Sequence, residues 1–265
     1  MKTTELLIGL FSLTSLLSAQ TAQEIANSAA AAAYYQGDDG RAQVSMKIVD
    51  QRGRERSRAF AILRRNTGDA LQDQQFYIHF NQPTDIADTA FLVEKHVGRD
   101  DDRWLYLPAL DLVRRIASSD ERTSFVGSHF FYEDVSGRSP DEDTHELIET
   151  SDVYYVLKSV PKKSGDVEFA YFTSWIHKAS SLPIKTEYTN SKGEVYRTYE
   201  ALKVETIDGI PTVVQSKMTD NNRGGSTTLT YETVQYNNGI KASIFTERSL
   251  RNPPTRLLDF QNRNP

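Results

Sequence analysis

DRWLYLPALDLVRRIASSDERTSFVGSHFFYED, Asp102 to Asp134, sets Trp104, Tyr106, Phe125, Phe130, Phe131 and Tyr132 beside the pair Arg114 and Arg115. Its first part reads as a strand without a polar face, because Trp104 and Tyr106 alternate with Leu105 and Leu107. The same holds for Tyr154 and Val156 against Tyr155 and Leu157, and for Phe169 and Tyr171 against Ala170 and Phe172. Side chains alternate between the faces of a strand, and an antiparallel sheet with one wet face shows apolar-polar alternation. Something therefore covers the second face of these strands. A curved sheet around an apolar cavity, with a helix as its lid, accounts for that.

Outward from this stretch, period-two patterns fill most of the chain. Val44, Met46 and Ile48 form one set, Phe60 and Ile62 another, and Phe76, Ile78 and Phe80 a third. Further strands are expected near Phe91–Val97, Arg103–Leu107, Leu112–Ala117, Val153–Val160, Glu168–His177, Ile184–Asn190, Val195–Ile207, Pro211–Thr219 and Ser226–Tyr236. Turn residues that tolerate positive φ separate several of them, as at Asp208-Gly209 and Asn221–Gly225. The pattern predicts a mainly β fold of about ten or eleven strands, a single strongly curved antiparallel sheet or open barrel. One irregular region interrupts it, Ser118 to Thr150, in which HELIET (His145–Thr150) reads as a short helix.

The N-terminal end departs from the β pattern. Leu6–Ala19, LLIGLFSLTSLLSA, follows Lys2 and is too short for a stable membrane anchor, so residues 1–19 read as a secretory signal peptide and 20–265 as one domain. Thr21-Ala22-Gln23-Glu24 matches a capping box ahead of an alanine-rich run, which predicts a helix from Ala22 to Tyr35. The chain has no cysteine, which excludes disulfides and acylation at an N-terminal Cys. An exported protein free in the periplasm is the expectation. A net charge of −5 supplies no broad basic field, so nucleic acid is not an expected partner.

Reactive groups are sparse. Ser128, His129 and Asp134 lie close in sequence, but the G-x-S-x-G elbow is missing and neighbours on a strand face opposite ways, so Ser128 reads as a turn cap. His145-Glu146 lacks the second His of a zinc motif, since Glu149 stands there. Asp141 to Glu146 reads as a solvated acidic loop and Asp100–Asp102 as a hairpin end. His79, His96 and His177 read as hydrogen-bonded sheet residues. No phosphate loop, Cys/His cluster or dinucleotide fingerprint appears, so no cofactor, metal or catalytic residue is expected. Binding is favoured over turnover.

The stretch Trp104–Val135, with FLVEKHVGRDD (Phe91–Asp101) before it, YYVLKSVPKK (Tyr154–Lys163) after it and FTERSLRNPP (Phe245–Pro254) near the end, resembles the outer-membrane lipoprotein-sorting proteins. The likeness is to a larger, uncharacterised periplasmic branch of the LolA/LolB-like superfamily and spans Ala22 to Pro253. His129 stands where much of that branch carries Asp. The resemblance implies a single curved antiparallel sheet forming an incomplete barrel of about eleven strands, with a helical plug and a hydrophobic cavity for acyl chains. It implies a periplasmic carrier of lipids or lipoproteins, exchanging with an outer-membrane acceptor or serving beside an inner-membrane RND-type exporter. Alternation and aromatic density nominate the cavity lining as Phe60 and Ile62, Phe76 and Ile78, Phe91, Trp104 and Tyr106, Tyr154, then Phe169, Tyr171 and Trp175. Two rivals stay open at this point: a secreted hydrolase with a hidden site, and an envelope protein that binds through its surface.

Overall fold

The computed structural model describes residues 20–68 and 71–260. The expected signal peptide lies outside the described residues. Helix α1 (Ala22–Tyr34) begins as its capping box dictates: Thr21 Oγ1 accepts from the Glu24 amide at 3.2 Å and Glu24 Oε2 accepts from the Thr21 amide at 2.8 Å. There follow β1 (Asp39–Val49), β2 (Glu55–Asn66), β3 (Gln74–Gln82), β4 (Ala90–Lys95), β5 (Asp102–Leu107) and β6 (Leu112–Ile116). After the short helix α2 (Tyr132–Ser136) come β7 (Asp143–Thr150), β8 (Tyr154–Pro161), β9 (Tyr171–His177), β10 (Pro183–Thr189), β11 (Val195–Ile207), β12 (Ile210–Asp220) and β13 (Ser226–Tyr236). Helices α3 (Glu247–Arg251) and α4 (Thr255–Leu258) close the described chain.

The strands form one antiparallel sheet in the order β6-β5-β4-β3-β2-β1-β13-β12-β11-β10-β9-β8-β7. Every neighbour is consecutive in sequence except β1 and β13, which join two meanders along Gly40–Val49. The sheet has two free edges and is not closed into a barrel. The described residues hold thirteen strands where about eleven were expected. The clearest addition is β7: HELIET is strand, not helix, because Asp143–Thr150 pairs with Tyr155–Pro161 of β8. Backbone pairing along that edge overrides the helical preference of its Glu and Leu residues.

This strand order has a consequence for the segment between β6 and β7. These strands follow one another in the chain but lie at opposite edges of the sheet, so residues 117–142 must cross from one edge to the other. They do so over one face, as a strap that carries α2. Phe125 and Tyr132 of the strap enter the largest core cluster with Phe60, Phe80 and Phe91; Phe91 lies 5.5 Å from Phe125 and 5.1 Å from Tyr132, centroid to centroid. The aromatics of the opening stretch are thus in part the underside of a strap.

The opposite face of β2–β5 is covered by the C-terminal segment. Leu63, Tyr77, Ala90 and Leu92 pack there with Phe245 and Leu250, and the Tyr77 hydroxyl donates to the Ser249 carbonyl at 2.8 Å. Strands β3–β5 are therefore apolar on both faces because the strap covers one and α3–α4 the other. No described helix is long and apolar enough to cross a membrane.

Candidate functional site

The strap face of the sheet, followed from β3 through β1 and β13 to β7, contributes side chains to a single cavity of about 370 Å³. That size falls within the range of small-molecule sites. Helix α1 covers it near β7 and β8, and presents Ala26, Ala29, Ala30 and Ala33 to the interior. These lie at i, i+3, i+4 and i+7, one helical face, and their small side chains leave the space open. Ile25 anchors the helix against Leu157 and Ile176.

Ion pairs hold the strap to the sheet. Arg103 of β5, buried, donates to Glu121 at 2.7 Å and to Asp101 at 2.8 Å. Arg138 reaches Asp143 of β7 at 3.0 Å, Glu142 at 2.8 Å and Glu133 at 3.2 Å. Arg197 of β11 pairs with Asp134 and lies 3.8 Å above the Phe131 ring. Lys95 Nζ donates to the carbonyls of Ser136 and Gly137 at 2.7 and 2.9 Å, beside the rings of Tyr34 and Tyr35. Burial pushes the Glu133 carboxyl up to about 7 against the opposing pull of Arg138, and lowers the Lys95 ammonium to about 8. Asp141, Glu142 and Glu146 are exposed as expected, but Asp143 is buried, paired with Arg138 and starts β7, which corrects the solvated-loop reading at that residue.

The sequence-nominated lining residues separate by strand. Phe60, Ile62, Phe76 and Ile78 face the cavity, and Phe91 lies on the same face, packed under the strap. Trp104 and Tyr106 lie on the other face, under the C-terminal segment. In β8 and β9 the cavity receives Leu157 and Ser159, and Phe172, Ser174 and Ile176, so Tyr154, Tyr171 and Trp175 face away. Tyr171 and Trp175 instead sit beneath the ammonium groups of Lys158 and Lys185, at 4.4 and 4.6 Å. Phe169, just before β9, is buried against Phe172 and Tyr188, which line the cavity, and does not itself line it. The neglected lining is the hydroxyl set of β9–β13, whose alternation with bulky residues looks like an ordinary wet face.

The groups screened for chemistry are taken up structurally. Ser128 accepts from the Phe130 amide at 3.1 Å and donates to its carbonyl, capping the turn, and His129 lies 2.8 Å from the Thr227 hydroxyl. Burial lowers the His129 pKa. His145 lies between Ser159 at 2.7 Å and the Pro140 carbonyl at 2.9 Å. Glu94, His96 and Asp102 gather within reach of one cation. Two of the three are already engaged: His96 contacts Asp73 and Asp102, and Arg99 and Arg115 pair with Asp102. Arg114, on the other face of β6, reaches Asp120 at 3.6 Å.

An open antiparallel sheet folded around a cavity, crossed by a strap and capped by an N-terminal helix, defines a LolA-like fold. A family model described as an uncharacterized protein matches residues 72–252, and the chain belongs to that family. A DUF1329 family protein from Desulfovibrio piger ATCC 29098 is 27% identical, with 86% of this chain and 97% of that chain covered at a TM-score of 0.79. A domain classed as an outer membrane lipoprotein-sorting protein, from Vibrio parahaemolyticus, is also 27% identical, with 87% and 98% covered at 0.77. A LolA superfamily protein from Nitrosomonas europaea, 19% identical over 87% of this chain and 99% of that one, shares the fold at 0.66. No curated protein matches the sequence.

Proposed function

We propose that this protein is a periplasmic carrier that takes the acyl chains of a lipid or lipoprotein into the cavity beneath α1 and the strap, for transfer toward the outer membrane. The observation that carries this reading is the cavity itself, with Phe60, Ile62, Phe76 and Ile78 on one side and the alanine face of α1 on another. Each methylene moved from water into such surroundings contributes roughly 0.8 kcal/mol, so an acyl chain binds without covalent chemistry. The sorting-domain relative supports the same class of cargo. Export by the expected signal peptide would place the carrier between an inner-membrane donor, such as an RND-type exporter, and an outer-membrane acceptor.

Native mass spectrometry of protein purified from the periplasm without detergent, with organic extraction of what it releases, tests this reading. A stoichiometric acyl-chain ligand is the expected result. A ligand-free mass that persists after incubation with envelope lipids and lipoproteins would overturn it.

A further inference from the structure

The cavity has two unlike walls. Along β1–β3 it is mostly hydrocarbon, with Met46, Phe60, Ile62 and Ile78, and Arg41 and Arg64 also reach its lining. Across from them, five successive strands, β9 to β13, intersperse apolar residues such as Phe172 and Met218 with the hydroxyls of Ser174, Thr186, Tyr188, Tyr199, Ser216 and Tyr231.

The strand register places these hydroxyls side by side. Ser174 stands opposite Thr186 with their hydroxyls 3.0 Å apart, and Thr186 stands opposite Tyr199. Tyr199 in turn bonds Ser216. A hydroxyl donates one hydrogen bond and accepts up to two, so this pairing leaves capacity directed at the cavity. The hydroxyls of Tyr188 and Tyr231 have no hydrogen-bond partner among the described residues. A site for bare hydrocarbon gains nothing from such a wall, because polar groups covered by an apolar ligand lose the hydrogen bonds that water gave them.

The wall is also uncharged. The cations beside it are engaged, Arg138 by Asp143, Glu142 and Glu133, and Arg197 by Asp134, while Arg64 and Arg41 line the cavity from β2 and β1 and donate to neutral acceptors, Arg64 to Asn66 and the Gln36 carbonyl and Arg41 to Gln235 and the Leu257 carbonyl. Those same carboxylates disfavour an anionic group beside Tyr188. The matching ligand chemistry is a neutral acceptor attached to long chains. We infer that the β9–β13 wall receives the carbonyl groups of ester or amide linkages, while the attached chains lie along β1–β3. The wall thus selects acyl-linked lipids over plain hydrocarbon chains, and the inference rests on the carrier function proposed above.

The test uses two probes of nearly equal shape, dioleoylglycerol and its dioleyl ether analogue, which lacks both carbonyls. Binding of each to the full chain is measured by tryptophan fluorescence and native mass spectrometry. The wild type should bind the diester at least about tenfold more tightly. The double variant Tyr188→Phe with Tyr231→Phe should lose most of the preference for the diester. Equal affinity of the wild type for the two probes would overturn the inference and leave the carrier function standing, as would a preference that survives in a folded double variant. Failure of the wild type to bind either probe would count against the carrier function itself.

Discussion

Removing the Asp134 carboxylate should loosen the strap from the sheet. Arg197 is only 5% exposed, and its guanidinium is held between the Asp134 carboxylate and the Phe131 ring. Asp134 also accepts from the Phe131 amide at 2.6 Å, so one side chain both fixes the start of α2 and neutralises the buried cation. Asp134→Ala leaves Arg197 with a carbonyl contact to His129 at 3.4 Å and no carboxylate. Removing one partner of a buried pair costs about 3–5 kcal/mol, a large share of the roughly 5–15 kcal/mol that stabilises a domain. The chain has a cheaper response, which is to lift the strap and hydrate Arg197. Urea unfolding should therefore show a lower midpoint, and trypsin should cut at Arg122 and Arg138 faster than in the wild type. The double variant Asp134→Leu with Arg197→Met, which leaves no buried charge, should recover most of the loss. A cost below about 1 kcal/mol with unchanged cleavage would refute the reasoning, because only a solvated pair is worth so little.

Three further outcomes follow from the same geometry. Phe76→Ala should destabilise by about 3–5 kcal/mol and Trp104→Ala, at a half-buried site, by less, but only the first should reduce lipid uptake per folded molecule, since Trp104 lies under the C-terminal segment; equal uptake losses in a titration of native protein would contradict the face assignment. Glu133, facing Arg138, Arg122, Glu121 and Asp134, has its pKa raised from 4.5 to about 7 in the folded state. The folded protein then holds more protons than the unfolded chain across that interval, so stability falls as pH rises from about 4.5 to about 7, by up to about 3 kcal/mol. Glu133→Gln should flatten that part of the pH-stability curve measured by urea unfolding, and an unchanged slope would show that Glu133 is not its source. Gly137 has φ +74° and a Cβ there would lie 2.5 Å from the Tyr34 ring, so Gly137→Ala should lower stability by about 1–3 kcal/mol from crowding alone, with partial recovery by Tyr34→Ala in thermal melts.

The strands were legible because alternation survives in nearly every one, and α1 because Thr21 and Glu24 carry its start. Which face of a strand meets the cavity was legible only where one set of residues is clearly apolar, as in Phe60-Ile62 and Phe76-Ile78. In β9 the rule that bulk points inward fails. Tyr171 and Trp175 are the larger side chains, but they cover the outside under lysine ammonium groups, while Phe172, Ser174 and Ile176 face in. Amphipathic aromatics tolerate a half-wet face, and a cavity that accepts polar linkages needs hydroxyls, so polarity alone misassigns both sides of such a strand. The sequence could not reveal the pairing of Arg197 with Asp134, or of Lys95 with the Ser136 and Gly137 carbonyls. Those contacts depend on where the strap crosses, and that follows from the sheet order alone.

The sheet order also explains why charge and cavity occur together. With β6 and β7 at opposite edges, the strap can reach its second edge only by passing over the open face, where no strand is available to hydrogen-bond it. Side chains must hold it instead, and Arg103, Arg138, Arg197 and Lys95 rise from β5, the strap itself, β11 and β4 to do so. Buried ion pairs add little net stability compared with apolar packing, but they fix one position closely. A strap held by such pairs keeps the space beneath it from collapsing onto Phe60 and Phe76. It can also be released by hydrating a few charges, without unpacking the aromatic core. Apolar anchoring at the same points would stabilise the protein more and bind the strap to the core it covers, which leaves no inexpensive route for a ligand to enter.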